Sequence, residues 1–147
     1  MLTASPECVC VYQGMGVPDP DHGAGYYNYF VPIINIADKY IDYYQPQAYN
    51  NWYEFPSGSL EYLQDVYLNW RNLQGLTPWG SKPIPNFSGV SGDKLLMGIL
   101  ASTKAGGASY LYSPEVIGKF KAWLLEKKYP MGGWMMWDSH WDQLNNR

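Results

Sequence analysis

The chain has few of the residues from which metal centres, nucleic-acid clamps and membrane anchors are built. Histidine occurs twice, at His22 and His140 near opposite ends, so imidazoles cannot converge on a metal, and no cofactor is expected. Cysteine also occurs twice, at Cys8 and Cys10. Neighbours so close are poorly placed to bridge each other, and they read as buried thiols projecting from one side of a strand. Ten Lys and Arg stand against thirteen Asp and Glu, a formal charge of -3, with Lys127-Lys128 as a short basic pair. A phosphate backbone has little to grip there, which argues against a nucleic-acid partner. Apolar runs are short and broken by Gly, Pro or charge, so no membrane span is expected, and the first residues carry no basic region leading into an apolar signal. Neither G-x-G-x-x-G nor G-x-x-x-x-G-K-[ST] occurs, which removes the usual phosphate-binding turns. A Ser-His-acid triad around His140 would lack its G-x-S-x-G elbow, and His140 reads as a polar loop residue.

Aromatic residues are abundant instead. Seven Trp and fourteen Tyr exceed what a small core needs, and each joins a flat apolar face to a polar edge. Sugars, with apolar ring faces rimmed by hydroxyls, suit such surfaces, although most individual rings are expected to fill the core. At 147 residues and 46% apolar content, residues 1-147 suit one domain with a real core.

Leu2 to Tyr12 is rich in β-formers and precedes a Gly, Pro and Asp stretch from Gly14 to Gly25. Phe30, Ile33, Ile34, Ala37 and Ile41 recur at helical spacing, with Pro32 restricting the helix start. A second strand is expected over Ile41 to Tyr49. Leu60, Leu63, Tyr67, Trp70 and Leu73 then mark an amphipathic helix, capped by Ser57 or Ser59 and ended by Gly75. Thr77 to Gly92 has no period and reads as an extended surface insertion. Lys94 to Ala101 forms a third strand. Ser113-Pro114 supplies an N-cap and a first-turn proline for a helix with Val116, Ile117, Phe120, Leu124 and Trp123 inward. Gly132 to Asp138 is the fourth strand. Strand starts fall roughly 35 to 55 residues apart, the rhythm of βα units in a parallel α/β sheet, and four such strands amount to half of an eight-stranded (β/α)8 barrel.

Gln47-Ala48-Tyr49-Asn50-Asn51 closes the second strand, at the end that faces ligand in α/β folds. Alternation puts Tyr43, Gln45, Gln47 and Tyr49 on one face and Tyr44, Pro46, Ala48 and Asn50 on the other. Among the carboxylates, Glu7, Asp42, Asp138 and Asp142 could do acid-base work, and Glu7 and Asp138 lie near strand C-terminal ends.

Leu2-Thr3-Ala4-Ser5-Pro6-Glu7, Gln47-Ala48-Tyr49-Asn50-Asn51, Leu96 to Ala101 with Ala105 to Pro114, and Gly132-Gly133-Trp134-Met135-Met136-Trp137 together resemble the fifth to eighth strands of glycoside hydrolase family 18 chitinases, in order and spacing. The resemblance implies a half-barrel from an enzyme that cleaves β-1,4-linked N-acetylglucosamine with retention, the substrate's own acetamide serving as nucleophile. It implies that Tyr49 hydrogen-bonds and orients the acetamide, that Gln47 contacts the same sugar or holds Tyr49, and that Trp137 forms the apolar floor under the sugar. Asn50 and Glu7 are implied either to touch substrate or to support neighbouring loops. Chitin or a chitooligosaccharide would be the ligand, and an extracellular setting would follow.

Leu100 stands where the family usually has proline, and Trp134 where it has a small aliphatic residue. The larger departure is that the family's D-x-x-D-x-D-x-E strand, whose last residue is the general acid, is absent from this sequence. Loss of a general acid typically costs about 100- to 10,000-fold. The chain is therefore expected to be inactive alone and to need a second polypeptide supplying the N-terminal half-barrel, or to self-associate through its open edges. A non-catalytic chitin-binding or assembly module, and an unrelated small α/β domain, are the alternatives.

Overall fold

The computed structural model describes residues 1–13, 28–51, 55–76 and 83–145. Four short parallel strands lie side by side in chain order: β1 (Thr3–Ala4), β2 (Tyr43–Tyr44), β3 (Leu96–Leu100) and β4 (Gly133–Trp137). Regular pairing joins β1 to β2 and β3 to β4, and the bridges Tyr44 to Leu95 and Gln47 to Gly98 connect the two pairs into one sheet. Helices α1 (Val31–Ala37), α2 (Leu60–Trp70), α3 (Pro114–Lys127) and α4 (Ser139–Asn145) follow the four strands in turn, as βα units require.

Burial separates the two sheet faces. Tyr44, Ala48, Met97 and Ile99 face the helices and are buried, with Leu63, Val66, Trp70 and Phe120 in the same core. Tyr43, Gln45, Gln47, Leu96 and Met135 on the opposite face are only half-buried. Gly98 lies at the middle of that second face, where an added Cβ would come within 2.8 Å of the Pro46 carbonyl oxygen and 2.9 Å of the Met135 methyl. Strands β2 and β4 can therefore close on β3 at that level only over glycine.

The helix starts follow from their caps. Ser59 Oγ accepts from Tyr62 N–H at 3.2 Å, Ser113 Oγ accepts from Val116 N–H at 3.2 Å, and Pro114 occupies the first turn of α3. Each cap satisfies a main-chain donor that the first helical turn leaves over. In α2 the residues Tyr62, Leu63, Val66, Tyr67 and Trp70 are fully buried, because this helix lies between its neighbours as well as on the sheet. The Tyr67 ring stacks on Tyr129 at 5.7 Å and meets Phe120 edge-on at 6.3 Å, which ties α2 to α3.

Several expectations are corrected. The first strand is short, and Cys8 and Cys10 sit on a 3₁₀ turn (Cys8–Cys10) in which Cys10 N–H donates to the Glu7 carbonyl. Both thiols are nevertheless buried and free. Gly75 does not end α2. Arg71 is its C-cap and Asn72 takes the left-handed conformation (φ 50°), while Gly75 N–H donates to Gln13 Oε1. Ile33 is 44% exposed although it matches the apolar spacing, since Val31 and Ile34 supply the buried side of α1. Residues 77–82 of the supposed surface insertion lie outside the described residues, and the part that follows is not superficial: Ile84, Phe87 and Val90 are buried. Asn72 anchors that part, its amide donating to the Ile84 carbonyl and the Phe87 carbonyl and accepting from Ile84 N–H. His140 belongs to α4 and not to a loop, because Asp138 Oδ1 accepts its N–H at 2.9 Å and starts the helix. The Trp137–Asp138 peptide is cis.

Candidate functional site

The register brings the candidate residues to adjoining levels at the C-terminal end of the sheet. Glu7 pairs with Gln47, Gln47 with Gly98, and Gly98 with Met135, so one row crosses all four strands. One pleat further on, Leu100 pairs with Trp137, and Tyr49 stands two residues beyond Gln47 as Leu100 does beyond Gly98. Trp137 thus ends β4 two residues beyond Met135, while Tyr49 follows the β2 segment in a bend two residues beyond Gln47, the last residue of that segment bridged to β3. Trp137 is half-exposed and Glu7 is exposed, whereas Tyr49 is 4% exposed.

Gln47 is committed to the neighbouring strand. Its Nε2 donates to the Ser5 carbonyl at 2.7 Å, its N–H to the Pro6 carbonyl at 2.9 Å, and its carbonyl accepts from Cys8 N–H at 3.3 Å. The amide side chain therefore bridges β1 and β2 below Tyr49. Asn50, in the left-handed conformation at φ 58°, accepts from Gly107 N–H through Oδ1 at 2.8 Å. It holds the loop after β3.

That loop in turn holds the main chain on both sides of Tyr49. Tyr112 donates its hydroxyl to the Ala48 carbonyl at 2.8 Å, and Tyr110 to the Asn51 carbonyl at 2.7 Å. From within the segment, Asn51 Nδ2 donates to the Tyr49 carbonyl at 2.6 Å and the Gln47 carbonyl at 2.9 Å. The carbonyls of Ala48, Tyr49 and Asn51, which a strand would leave unpaired at its end, thus each accept a side-chain hydrogen bond. Tyr110, Tyr112 and Asn51 were not picked out as site residues from the sequence. The alternation Tyr110-Leu111-Tyr112 after Gly106-Gly107 was the available signal, since closely spaced phenols beside a flexible turn suit main-chain acceptors.

The site is built for neutral groups. Burial pushes the Tyr49 phenol up to about 12, so it remains a proton donor throughout the neutral range. Burial likewise raises Cys8 from 9.0 to about 12, and its Sγ lies 3.4 Å from the Tyr62 hydroxyl. Both folded values exceed their unfolded ones, so folding favours the protonated forms. Their stabilisation is complete below the unfolded values and is lost as pH rises toward about 12. The urea midpoint should therefore hold up to about pH 8.5 and fall steadily above it. A midpoint unchanged up to about pH 11 would contradict the burial of these groups. Among the described residues no group of three or more His, Cys, Asp or Glu could hold a metal, and no helix is long and apolar enough to cross a membrane.

No protein-family model matches the chain. A chitinase from Enterococcus faecalis is 28% identical over 132 residues, covering 82% of this chain and 34% of its own length. A family GH18 chitinase from Chromobacterium violaceum shares the fold with a TM-score of 0.71 and 20% identity, over 97% of this chain and 41% of its own. A xylanase and α-amylase inhibitor protein from Scadoxus multiflorus superposes with a TM-score of 0.56 and 26% identity, over 99% of this chain and again 41% of its own. The chain thus spans about a third of the curated relative and about two fifths of these solved structures. In its strand order and its sequence, the chain resembles the C-terminal half, strands five to eight, of a glycoside hydrolase family 18 chitinase barrel.

Proposed function

We propose that this chain supplies the sugar-orienting side of a chitinase active site and acts on chitin-type oligosaccharides when the other half of the barrel is present. The observation that carries this reading is that Tyr49 and Trp137 each follow by two residues the row Gln47–Gly98–Met135 at the C-terminal end of the sheet. A sugar lying across β3 would have the Trp137 ring beneath its apolar face and the Tyr49 hydroxyl at its acetamide, with Gln47 and Glu7 in the row below. In the substrate-assisted retaining reaction, Tyr49 would donate to the acetamide and hold its oxygen toward the anomeric carbon, where it displaces the leaving sugar. The leaving oxygen needs a proton, and this sequence carries no D-x-x-D-x-D-x-E strand to give it. The acid would come from the complementing half, in an extracellular setting.

The test is hydrolysis of chitooligosaccharide by this chain alone and after addition of an N-terminal half-barrel bearing that motif. Hydrolysis by the mixture, with a rate at least about 100-fold above either half, is the expected result. Efficient cleavage by the purified chain alone, or none by a mixture shown to form a complex, would sink the proposal.

The likeness to the xylanase and α-amylase inhibitor protein favours a second reading, in which the same cleft binds without catalysis. Retention on chitin with no rate gain in the assembled complex would select it.

A further inference from the structure

We infer that Tyr112 is a positioning residue for Tyr49, holding from the loop after β3 the peptide plane from which Tyr49 projects. The inference deepens the functional reading above and rests on it for the reaction that Tyr49 serves.

A donor that must meet an acetamide at one place needs a fixed Cα, yet the chain around Tyr49 has already left the sheet. Ala48 N–H still donates to the Gly98 carbonyl at 3.0 Å, whereas Tyr49 and Asn50 lie in a bend and Asn50 is left-handed. The strand ladder therefore cannot set the direction of the Tyr49 side chain. A peptide unit is a rigid plane, so whatever holds its carbonyl also orients the Cα that follows. The plane before Tyr49 is held through the Ala48 carbonyl, which accepts from the Tyr112 hydroxyl at 2.8 Å across 64 residues of sequence. The plane after it is held through the Tyr49 carbonyl, which accepts from Asn51 Nδ2 at 2.6 Å. Both planes that flank Tyr49 are thus pinned, the first of them by the loop.

Of the contacts that reach this segment from the loop, the one from Tyr112 is the one that water cannot replace. Tyr112 and Ala48 are both buried, while Asn50, which accepts from Gly107 N–H at 2.8 Å, is exposed, and Tyr110, which donates to the Asn51 carbonyl at 2.7 Å, is half-buried. A buried carbonyl that loses its donor must turn to find another, whereas an exposed one takes water. Tyr112 is itself fixed from the core. Its ring centre lies 6.4 Å from that of Tyr62, a fully buried residue of α2 whose hydroxyl is 3.4 Å from Cys8 Sγ. The main chain on either side of Tyr110 presses on the turn before α2, where a Cβ at Gly58 would come within 2.9 Å of the Ser109 carbonyl oxygen and 3.1 Å of the Leu111 carbonyl oxygen. The phenol therefore reaches Ala48 from a rigid post. Burial also holds it well above its usual range, so it donates throughout the neutral range.

Kinetics of the completed barrel, this chain with its N-terminal half, would compare the wild type with Tyr112→Phe, Tyr49→Phe and the double variant. Tyr112→Phe keeps the ring and removes the donor, so kcat should fall by about tenfold while KM moves by no more than about threefold. In the Tyr49→Phe background the same change should cost less than about twofold, because no hydroxyl is left to position. A loss of equal size in both backgrounds would mark general damage to the fold and overturn the inference, as would a Tyr112→Phe enzyme within about twofold of the wild type. Amide exchange in this chain alone gives a readout that needs no hydrolysis. Exchange at Ala48 should quicken by at least about tenfold in Tyr112→Phe while the amides of α3 keep their rates. Unchanged exchange at Ala48, or a quickening shared by all amides, also overturns the inference. Quickened exchange at Ala48 alongside hydrolysis that Tyr49→Phe leaves untouched would refute the functional reading instead, with the hold of Tyr112 on this segment left standing.

Discussion

Replacing Tyr49 by phenylalanine is expected to lower the turnover of the completed barrel by about 100- to 1,000-fold, while sugar affinity changes by no more than about threefold. The substitution removes one oxygen and leaves the ring in its buried site. Among the described residues no group hydrogen-bonds the hydroxyl, whereas the main chain around it is held by Tyr112, Tyr110 and Asn51. The segment should keep its position, and the loss should fall on the donor alone. An acetamide that is free to rotate still binds through its ring face and hydroxyls, but presents its oxygen to the anomeric carbon only part of the time. The interaction is thus made more strongly in the transition state than in the bound ground state, and kcat carries the effect. Because burial keeps the phenol protonated up to about 12, the deficit should be the same at every pH from about 5 to 9. Equal losses in kcat and affinity would show that Tyr49 merely shapes the cleft. A deficit that vanished at the alkaline end would mean that the phenol is ionised in the wild type.

Much of this arrangement was legible in the sequence, and the unread parts share a cause. Ser59 and Ser113-Pro114 announced two helices because a cap acts within four residues of chain. The strand order was readable from spacing, and the two faces of Tyr43 to Ala48 from alternation, again local features, but the alternation breaks at Tyr49, which is buried, and Asn50, which is exposed in the left-handed conformation. What could not be read depends on partners far away in sequence. Asn50 and Tyr49 are adjacent polar residues, yet only the approach of Gly107 gives Asn50 a loop to hold. Phe87 and Val90 look like residues of an exposed insertion until Asn72 draws the chain onto the end of α2. Ile33 and Ile34 carry nearly the same propensities, and only the position of the sheet decides which is buried. The turn at Cys8 follows the same logic: β-forming residues would continue the strand, but the indole of Trp70 and the carbonyl of Gln47 have already claimed that stretch of main chain.

That last contact identifies the side chain whose loss should cost the fold most. Trp70 is fully buried at the end of α2, with ring centres 6.2 Å from Phe30 and 6.1 Å from Tyr44. Its Nε1 donates to the Cys8 carbonyl at 3.0 Å. One side chain therefore joins α2, the entry to α1, β2 and the turn that follows Glu7. Trp70→Ala should destabilise the chain by about 3–5 kcal/mol, from lost burial plus the cavity that remains. Against the roughly 5–15 kcal/mol that holds an ordinary domain together, that is enough to leave a large share of the chain unfolded. Trp70→Phe retains much of the apolar area and strands the Cys8 carbonyl, so a smaller cost of about 1–3 kcal/mol is expected. Urea titrations followed by far-ultraviolet circular dichroism would measure both. A cost below about 1 kcal/mol for the alanine variant would mean that the rings do not pack as described. Should phenylalanine cost as much as alanine, the hydrogen bond to Cys8 rather than the packing would be what holds the β1 exit, and with it the Glu7 and Gln47 row, in place.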